Sequence, residues 1–256
     1  MLIARRFTLP LQALEPMELA DDGSVALLLL NPTGGILGGD RLETEVVLGA
    51  GAHVVLSTPS ATRVYRSPGR PAIQRTTLTL GPGAVLEWLP DHLIPSPGAR
   101  LRQVTEVAMA PEATLMLWDA WATGRAARGE AWGFDLLDST VVARDPAGLL
   151  VRERAILSGG TRLDGPGGTE GFGYVGTLLV LRPERSSWSD VADALHAALA
   201  GAAAECRAGV TTLSRGGLLV RLLAPRAPAL GTALAALWAT VRRTLFGLPP
   251  LDLRKL

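Results

Sequence analysis

Short runs of alternating apolar and polar residues, each ended by a glycine- or proline-bearing turn, recur along the chain. Residues 42–48 alternate, and Gly49-Ala50-Gly51-Ala52 turns them into His53-Val54-Val55-Leu56. Residues 75–80 alternate, and Gly81-Pro82-Gly83-Ala84 leads into Val85-Leu86-Glu87-Trp88. Residues 104–109 alternate, and Ala110-Pro111-Glu112-Ala113 leads into Thr114-Leu115-Met116-Leu117. The turns begin at 49, 81 and 110, steps of 32 and 29. A looser fourth unit joins Val141-Val142-Ala143-Arg144 to Leu149-Leu150-Val151 through Asp145-Pro146-Ala147-Gly148. A period of two marks strands, and the glycines and prolines mark tight turns. Strand–turn–strand units cannot bury an apolar face alone, so repeated ones stack. The pattern predicts a mainly β protein whose stacked hairpins form a β-helix-like or sandwich-like body. The plainer alternative is an ordinary antiparallel protein that repeats its turn chemistry.

Past Gly159 the texture changes. Residues 158–176 are glycine-rich, with Gly159-Gly160 and Gly165-Pro166-Gly167-Gly168, and read as a loop. Trp188, Val191, Leu195, Ala198 and Leu199 then fall on one helical face. Residues 213–223 return to strand character around Gly216-Gly217. Leu230, Leu234, Leu237, Trp238, Val241 and Leu245 mark a second helix, ended by Gly247 with Pro249-Pro250 beyond. Strands first and helices late predict a single domain over 1–256. Its β body covers mainly 25–180 and 210–224, with about two α-helices near 188–205 and 229–246, in the C-terminal third.

Of the 256 residues, 48% are hydrophobic and 19% charged, and the mean hydropathy is +0.26. No apolar run approaches the roughly 18 residues that cross a bilayer, so no membrane span is expected. The excess apolar surface predicts a protein partner. The opening Met1-Leu2-Ile3-Ala4-Arg5-Arg6 lacks the charged-then-apolar order of a signal peptide, and a cytoplasmic location is expected. The net charge is +1 and dispersed, without the basic stripe of a nucleic-acid binder.

The segment that stands out is Asn31-Pro32-Thr33-Gly34-Gly35-Ile36-Leu37-Gly38-Gly39-Asp40, followed by Thr58-Pro59-Ser60-Ala61-Thr62-Arg63-Val64-Tyr65-Arg66-Ser67. Two glycine pairs before an acid invite a phosphate-loop reading. A P-loop needs a lysine directly after its glycines, and the only lysine is Lys255. Nucleophilic chemistry finds little support either. Cys206, the single cysteine, follows an alanine-rich helix whose dipole would not lower its pKa. Ser57, Ser60 and Ser67 lie in no Gly-x-Ser-x-Gly elbow. The three histidines, His53, His92 and His196, lack metal-ligand spacing. Several acids sit in apolar surroundings: Glu87 between Leu86 and Trp88, Asp119 between Trp118 and Ala120, with Glu130 after Gly129 and Glu153 between two arginines. Strand neighbours face opposite ways, so each either points to solvent or lines an interior polar passage, where a carboxylate needs a partner or a cation. Arg125 offers either a patch for an acidic partner or an ion pair with Glu130 or Asp119.

Ordered, separated motifs resemble those of the urease accessory proteins of the D family, called H in some organisms. That family's His-Pro-Pro-Gly-Gly-x-x-Gly-Gly-Asp is matched by residues 31–40, with Asn31 in place of the histidine. Its Thr-x-x-Ala-[Ser/Thr]-[Lys/Arg]-x-Tyr-Arg-Ser resembles residues 58–67. Its Gly-Ala-x-Leu-Glu-Trp-Leu-Pro resembles residues 83–90, and its Gly-Arg-x-x-x-Gly-Glu residues 124–130. The resemblance implies a non-enzymatic chaperone that binds the F-type accessory protein, through it the G-type GTPase, and apo-urease. It implies nickel insertion into urease, with a mainly β-helical fold and a pair of helices. It also implies an acid-lined passage, with Asp40, Glu87, Asp119, Glu130 and Glu153 as weak, transient Ni2+ contacts and no tightly bound cofactor. Gly34, Gly35, Gly38, Gly39, Thr62, Tyr65, Arg66 and Arg125 are the expected motif or partner residues. Two alternatives stand beside it: a hydrolase-like enzyme using Asp40 with Ser57 or Thr58, and a metal-free structural scaffold. The chain ends Arg254-Lys255-Leu256, where the family often carries an Arg-Ile-Trp-like tail. Only 30 residues precede the glycine-pair motif, where the family often carries further strands.

Overall fold

A computed structural model describes residues 2–158, 163–202 and 205–253. Gly159-Gly160, Ala203 and Ala204 of the first expected helix and the tail at Arg254-Lys255-Leu256 lie outside the described residues. β1 (Gln12–Ala13) and β2 (Val25–Leu30) lead in, and β3 (Arg41–Leu48) and β4 (His53–Ser57) form the first repeat unit. After β5 (Thr62–Val64), β6 (Ala72–Leu80) and β7 (Val85–Leu89) form the second. After β8 (Leu93–Pro95), β9 (Arg100–Met109) and β10 (Thr114–Ala122) form the third.

The two strands of each of these units do not pair with each other. β3, β6 and β9 lie side by side and parallel in one sheet, and β2, β4, β7 and β10 do the same in another. Each tight turn is therefore a corner at which the chain crosses from one sheet to the other. Successive units stack as coils of a β-solenoid rather than as hairpins. The corners stack too. Gly81 N–H donates to Leu48 O and Gly51 N–H to Pro82 O, and Ala110 N–H donates to Leu80 O and Gly83 N–H to Pro111 O, at 2.9–3.1 Å. The third corner residue must take a left-handed φ. Gly51 (66°) and Gly83 (64°) do so freely, and Glu112 (61°) fills the same place with a side chain.

The chain then changes pairing mode. β11 (Gly124–Arg125) and β12 (Glu130–Ala131) make a small separate ribbon. β13 (Leu136–Asp145) continues the smaller sheet parallel to β9, and β14 (Gly148–Ser158) returns antiparallel to it. This fourth unit is a true hairpin. β15 (Tyr174–Leu181), β16 (Arg207–Thr212) and β17 (Gly217–Ala224) extend the larger sheet antiparallel, in the order β10–β15–β17–β16. The last strand begins at Gly217, later than the apolar pattern predicts, because Gly216 (φ 45°) makes the turn out of β16.

Helix α1 (Ser189–Ala202) and helix α2 (Ala227–Val241) cover the outer face of the larger sheet. A five-residue π-helical turn, Arg242–Phe246, continues α2 to Gly247, whose φ of 66° ends it. The predicted faces are the buried ones: Trp188 just before α1 with Val191 and Leu195 on it, and Leu230, Leu237, Trp238 and Val241 on α2. Neither helix is long and apolar enough to cross a membrane.

Candidate functional site

The space between the two sheets positions the site. Inward residues of the parallel sheet align in rows across its strands, as register dictates. One row is Leu42, Gln74, Gln103 and Ser139, and the next is Thr44, Thr76, Thr105 and Val141. Apolar rows flank them. Ala72, Leu101 and Leu137 belong to one buried cluster, and Leu48, Leu80 and Met109 to another. A polar belt thus crosses the interior between two dry cores.

A cavity of about 340 Å³ lies along this belt. Its walls include Gln74, Thr76, Gln103 and Thr105 on one sheet, Trp88 and Asp119 on the other, Thr62 at the start of β5, and the loops carrying Asn31, Gly34, Gly35 and Asp91. A second cavity of about 50 Å³ includes Asp119, Ser139, Thr177, Glu153 and Arg221 in its walls. Leu117, Asp119 and Val141 line both.

The two motifs singled out in the sequence meet in the wall of the larger cavity. Ile36 N–H donates to Arg63 O at 2.8 Å, and Tyr65 N–H donates to Ile36 O at 2.9 Å. Tyr65 Oη–H reaches Gly34 O at 3.3 Å. Gly35 is required by this contact, because a Cβ there would lie 2.5 Å from Arg63 O. A Cβ on Gly38 would lie 2.8 Å from the backbone of Ser67. Asn31 folds the first motif, accepting from Thr33 N–H at 3.1 Å and donating from Nδ2 to Gly35 O at 3.1 Å. Asp40 closes the second glycine pair by accepting from Leu37 N–H at 2.8 Å. Thr62 starts β5 and lines the larger cavity. Arg66 is exposed and bridges to Ala99.

The acids go to different places. Asp119 faces the inter-sheet space, accepting from Ser139 Oγ at 2.8 Å and from Gln103 Nε2 at 3.1 Å. Burial pushes its carboxyl above the usual carboxylate range, against those two hydrogen bonds and with the charge of Glu153 adding to the rise. Glu153 lines the smaller cavity and pairs with Arg221 at 2.5 Å. Glu87 points the opposite way, under the helices. It is fully buried and binds His53 at 2.6 Å, Trp238 Nε1 and Arg242. Glu130 is paired with Arg125 across the β11–β12 ribbon. Asp40, Glu87 and Glu130 are absent from the walls of both cavities. The solvent-facing reading fails for Glu87 and Asp119 for one reason: the larger sheet is covered on both faces.

Among the described residues, no group of three or more His, Cys, Asp and Glu is placed to hold a metal. A cation here would meet single carboxylates, hydroxyls and amides, which bind divalent ions more weakly than thiolate or imidazole clusters. The hydrolase arrangement is not assembled among the described residues. Ser57 Oγ donates to Leu89 O, and Thr58 Oγ1 donates to Ser60 O and accepts from Asp91 N–H. Asp40 engages neither hydroxyl. Cys206 is half-buried, its thiol pushed up by burial and the neighbouring Glu205.

Gln74, Gln103, Ser139, Arg221 and Arg242 did not emerge from motif reading. The first two carried a signal. Positions 72, 74, 76, 78 and 80 read Ala, Gln, Thr, Leu, Leu, and positions 101, 103, 105, 107 and 109 read Leu, Gln, Thr, Val, Met. In each strand a polar pair interrupts an otherwise apolar face at the same height.

These features define a β-solenoid with a chamber between its sheets, crossed by a polar belt, walled in part by glycine-rich loops and carrying no assembled catalytic group among the described residues. The chain belongs to the UreD urease accessory protein family, whose model matches residues 1–255. It is 34% identical over 262 residues to a urease accessory protein UreD of Cupriavidus metallidurans, covering 99% of this chain and 88% of that protein. It is 35% identical over 223 residues to the UreD of Alkalilimnicola ehrlichii, covering 87% and 74%. It is 34% identical over 248 residues to that of Actinomyces naeslundii, covering 96% and 89%.

Proposed function

We propose that this chain is a non-enzymatic, cytoplasmic scaffold for urease maturation, acting as a single domain. It binds the F-type accessory protein, through that protein the G-type GTPase, and apo-urease. It assists nickel insertion by giving the ion a weak, exchanging path through its interior, with Ni2+ as cargo and no resident cofactor. Family membership supports the accessory role. The observation that carries the passage is Asp119, a carboxylate common to the walls of both cavities, with residues of the two family-like motifs in the wall of the larger one. Oxygen donors without thiolate or imidazole clusters suit an ion that must be released.

The deciding experiment is co-purification of the soluble chain with the F-type protein and apo-urease, followed by urease activation at limiting nickel. The expected result is a stable complex in which Asp119→Ala leaves partner binding intact and lowers activation. Failure to bind either partner overturns the scaffold. Full activation by Asp119→Ala supports a metal-free scaffold instead.

A further inference from the structure

The two sheets do not end together. β14 stands across from β17: Arg221 on β17 donates to Glu153 on β14 at 2.5 Å, and Ala155 shares a cavity wall with Leu219. The larger sheet continues from β17 to β16, whereas β14 is the last strand of the smaller sheet. Arg207, Gly209 and Thr211 on β16 lie in register with Leu223, Arg221 and Leu219. They therefore continue the inward face of the larger sheet past the end of the smaller one. All three are exposed. Glu170 and Phe172 engage Arg207, but a Cβ on Gly209 would meet nothing within 4 Å. The larger sheet overhangs the smaller by one strand, and no described residue shields the overhang at Gly209 and Thr211.

The free edge of β14 suits a further strand. From Leu150 to Leu157, no described backbone group outside β13 bonds to it. Its outward side chains, fixed by the pairing with β13, are Leu149, Arg152, Arg154 and Ile156. Leu149 is 47% and Ile156 54% exposed. Arg152 is exposed and makes no ion pair among the described residues, and Arg154 shares Asp138 with Arg102. Edge strands are often guarded by an inward-pointing charge. Glu153 is such a charge, but Arg221 neutralises it. Opposite charges across a strand pair attract and like charges repel. A strand that fits this edge thus presents two acids outward, at alternate positions, with apolar residues beside them. Inward, it presents small or apolar side chains over Gly209.

We propose that the free edge of β14 is a strand-addition site for an extended acidic segment of a partner protein, which extends the smaller sheet to lie across from β16. The proposal rests on the scaffold reading above for the existence of a partner, and not on the passage. Backbone hydrogen bonds supply the affinity of such a contact, and alternate side chains its specificity. A second copy of this chain does not fit. Its β3 has the right pattern, with Glu43, Glu45 and Val47 outward at the other end of the smaller sheet. Set antiparallel to β14, Glu43 would meet Arg154 and Glu45 would meet Arg152. But β3 lies across from β4, to which one corner joins it, and β2 and β1 carry the larger sheet beyond that point. In a second copy those strands would collide with β16. An extended segment without a second layer meets no such obstacle.

The probe is a synthetic peptide with the sequence of β3, Arg-Leu-Glu-Thr-Glu-Val-Val-Leu, added at millimolar concentration to the purified full-length chain. Amide hydrogen exchange is the readout. Slower exchange along β14 between Leu150 and Leu157 is expected. A peptide carrying Glu43→Lys and Glu45→Lys is expected to bind about tenfold more weakly, because two attractions become two repulsions. In a chain carrying Arg152→Glu and Arg154→Glu, checked for folding by thermal unfolding, the preference is expected to reverse. N-methylation of the peptide at Thr44 and Glu45, whose N–H groups point to opposite edges, is expected to abolish binding to the wild-type chain. Unchanged exchange along β14, protection of β16 instead, indifference to the lysine exchange, or binding that survives N-methylation overturns the proposal. So does self-association of the chain through β14 in sedimentation, which would make a second copy the occupant. Co-purification separates this proposal from the scaffold reading. If the F-type protein and apo-urease bind but the peptide does not, only the strand-addition site fails. If the peptide adds to β14 and neither protein binds, the scaffold reading fails and the site stands.

Discussion

Arg242 and Glu87 lie 155 residues apart in sequence and share an ion pair in which neither side chain has any solvent access. Arg242 also binds Asp22 and donates from Nε to Pro249 O at 2.8 Å, while Trp238 Nε1 donates to the same Glu87. One guanidinium thus ties helix α2 to a solenoid strand, to the N-terminal lead-in and to the segment after the helix. Burial would raise Asp22, but its hydrogen bonds from Ser24 and the charge of Arg242 outweigh it and hold the carboxyl low.

Removing one partner of this pair leaves a buried charge without compensation. Glu87→Leu and Arg242→Leu are each expected to cost about 3–5 kcal/mol. The double variant is expected to lose less than the sum of the two. Urea unfolding of the three variants measures this, and strict additivity would deny the pair any coupling.

Asp119 makes stability depend on pH. Its folded pKa lies above the unfolded value because burial penalises the charge. Between those two values the folded state holds the extra proton, so stability is lost as pH rises through the folded pKa. Asp119→Asn cannot ionise and is expected to flatten this slope and to gain on the wild type toward neutral pH. Urea midpoints across the acid-to-neutral range provide the measurement. A wild-type slope that survives in Asp119→Asn would assign the effect to other groups.

Glu112 carries a left-handed backbone at a corner where the two preceding coils have glycine. Relief of a strain of about 1–2 kcal/mol is partly offset by the freer unfolded chain that glycine brings. Glu112→Gly is expected to stabilise by about 0.5–1 kcal/mol. A lower melting temperature for this variant would contradict the strain.

Gly35→Ala places a methyl group against Arg63 O, at the contact that joins the two cavity-wall motifs. The expected cost is about 2–3 kcal/mol. Faster amide exchange at Ile36 and Tyr65, whose N–H groups make that contact, would localise it. Unchanged protection there would place the damage elsewhere.

The solenoid was legible because its corners repeat. Gly49, Gly81 and Ala110 start equivalent turns, and the strands meet those turns where the pattern ends them, although β9 and β10 extend farther from their turn, to Arg100 and Ala122. Pairing direction was not legible. A tight turn between two alternating runs looks the same whether the strands close on each other or part into separate sheets, and only stacking with the next coil decides it. The cavity-wall motifs were visible as unusual residues, but their mutual contact depends on Ile36 meeting Arg63 across the fold. Among the acids, sequence placed Asp119 and Glu87 in the same category. Their strands face them into different layers, and that phase becomes known only once helices cover the outer side of the larger sheet.

The belt of Gln74, Gln103, Ser139, Thr44, Thr76 and Thr105 has an energetic consequence of its own. It separates the cluster around Leu101 and Phe134 from the cluster around Leu80 and Met109, so a side chain in one has few neighbours in the other. Substitutions that share no partners combine additively. This interior behaves as two cores insulated by a polar seam, so that damage to one is not passed by packing to the other.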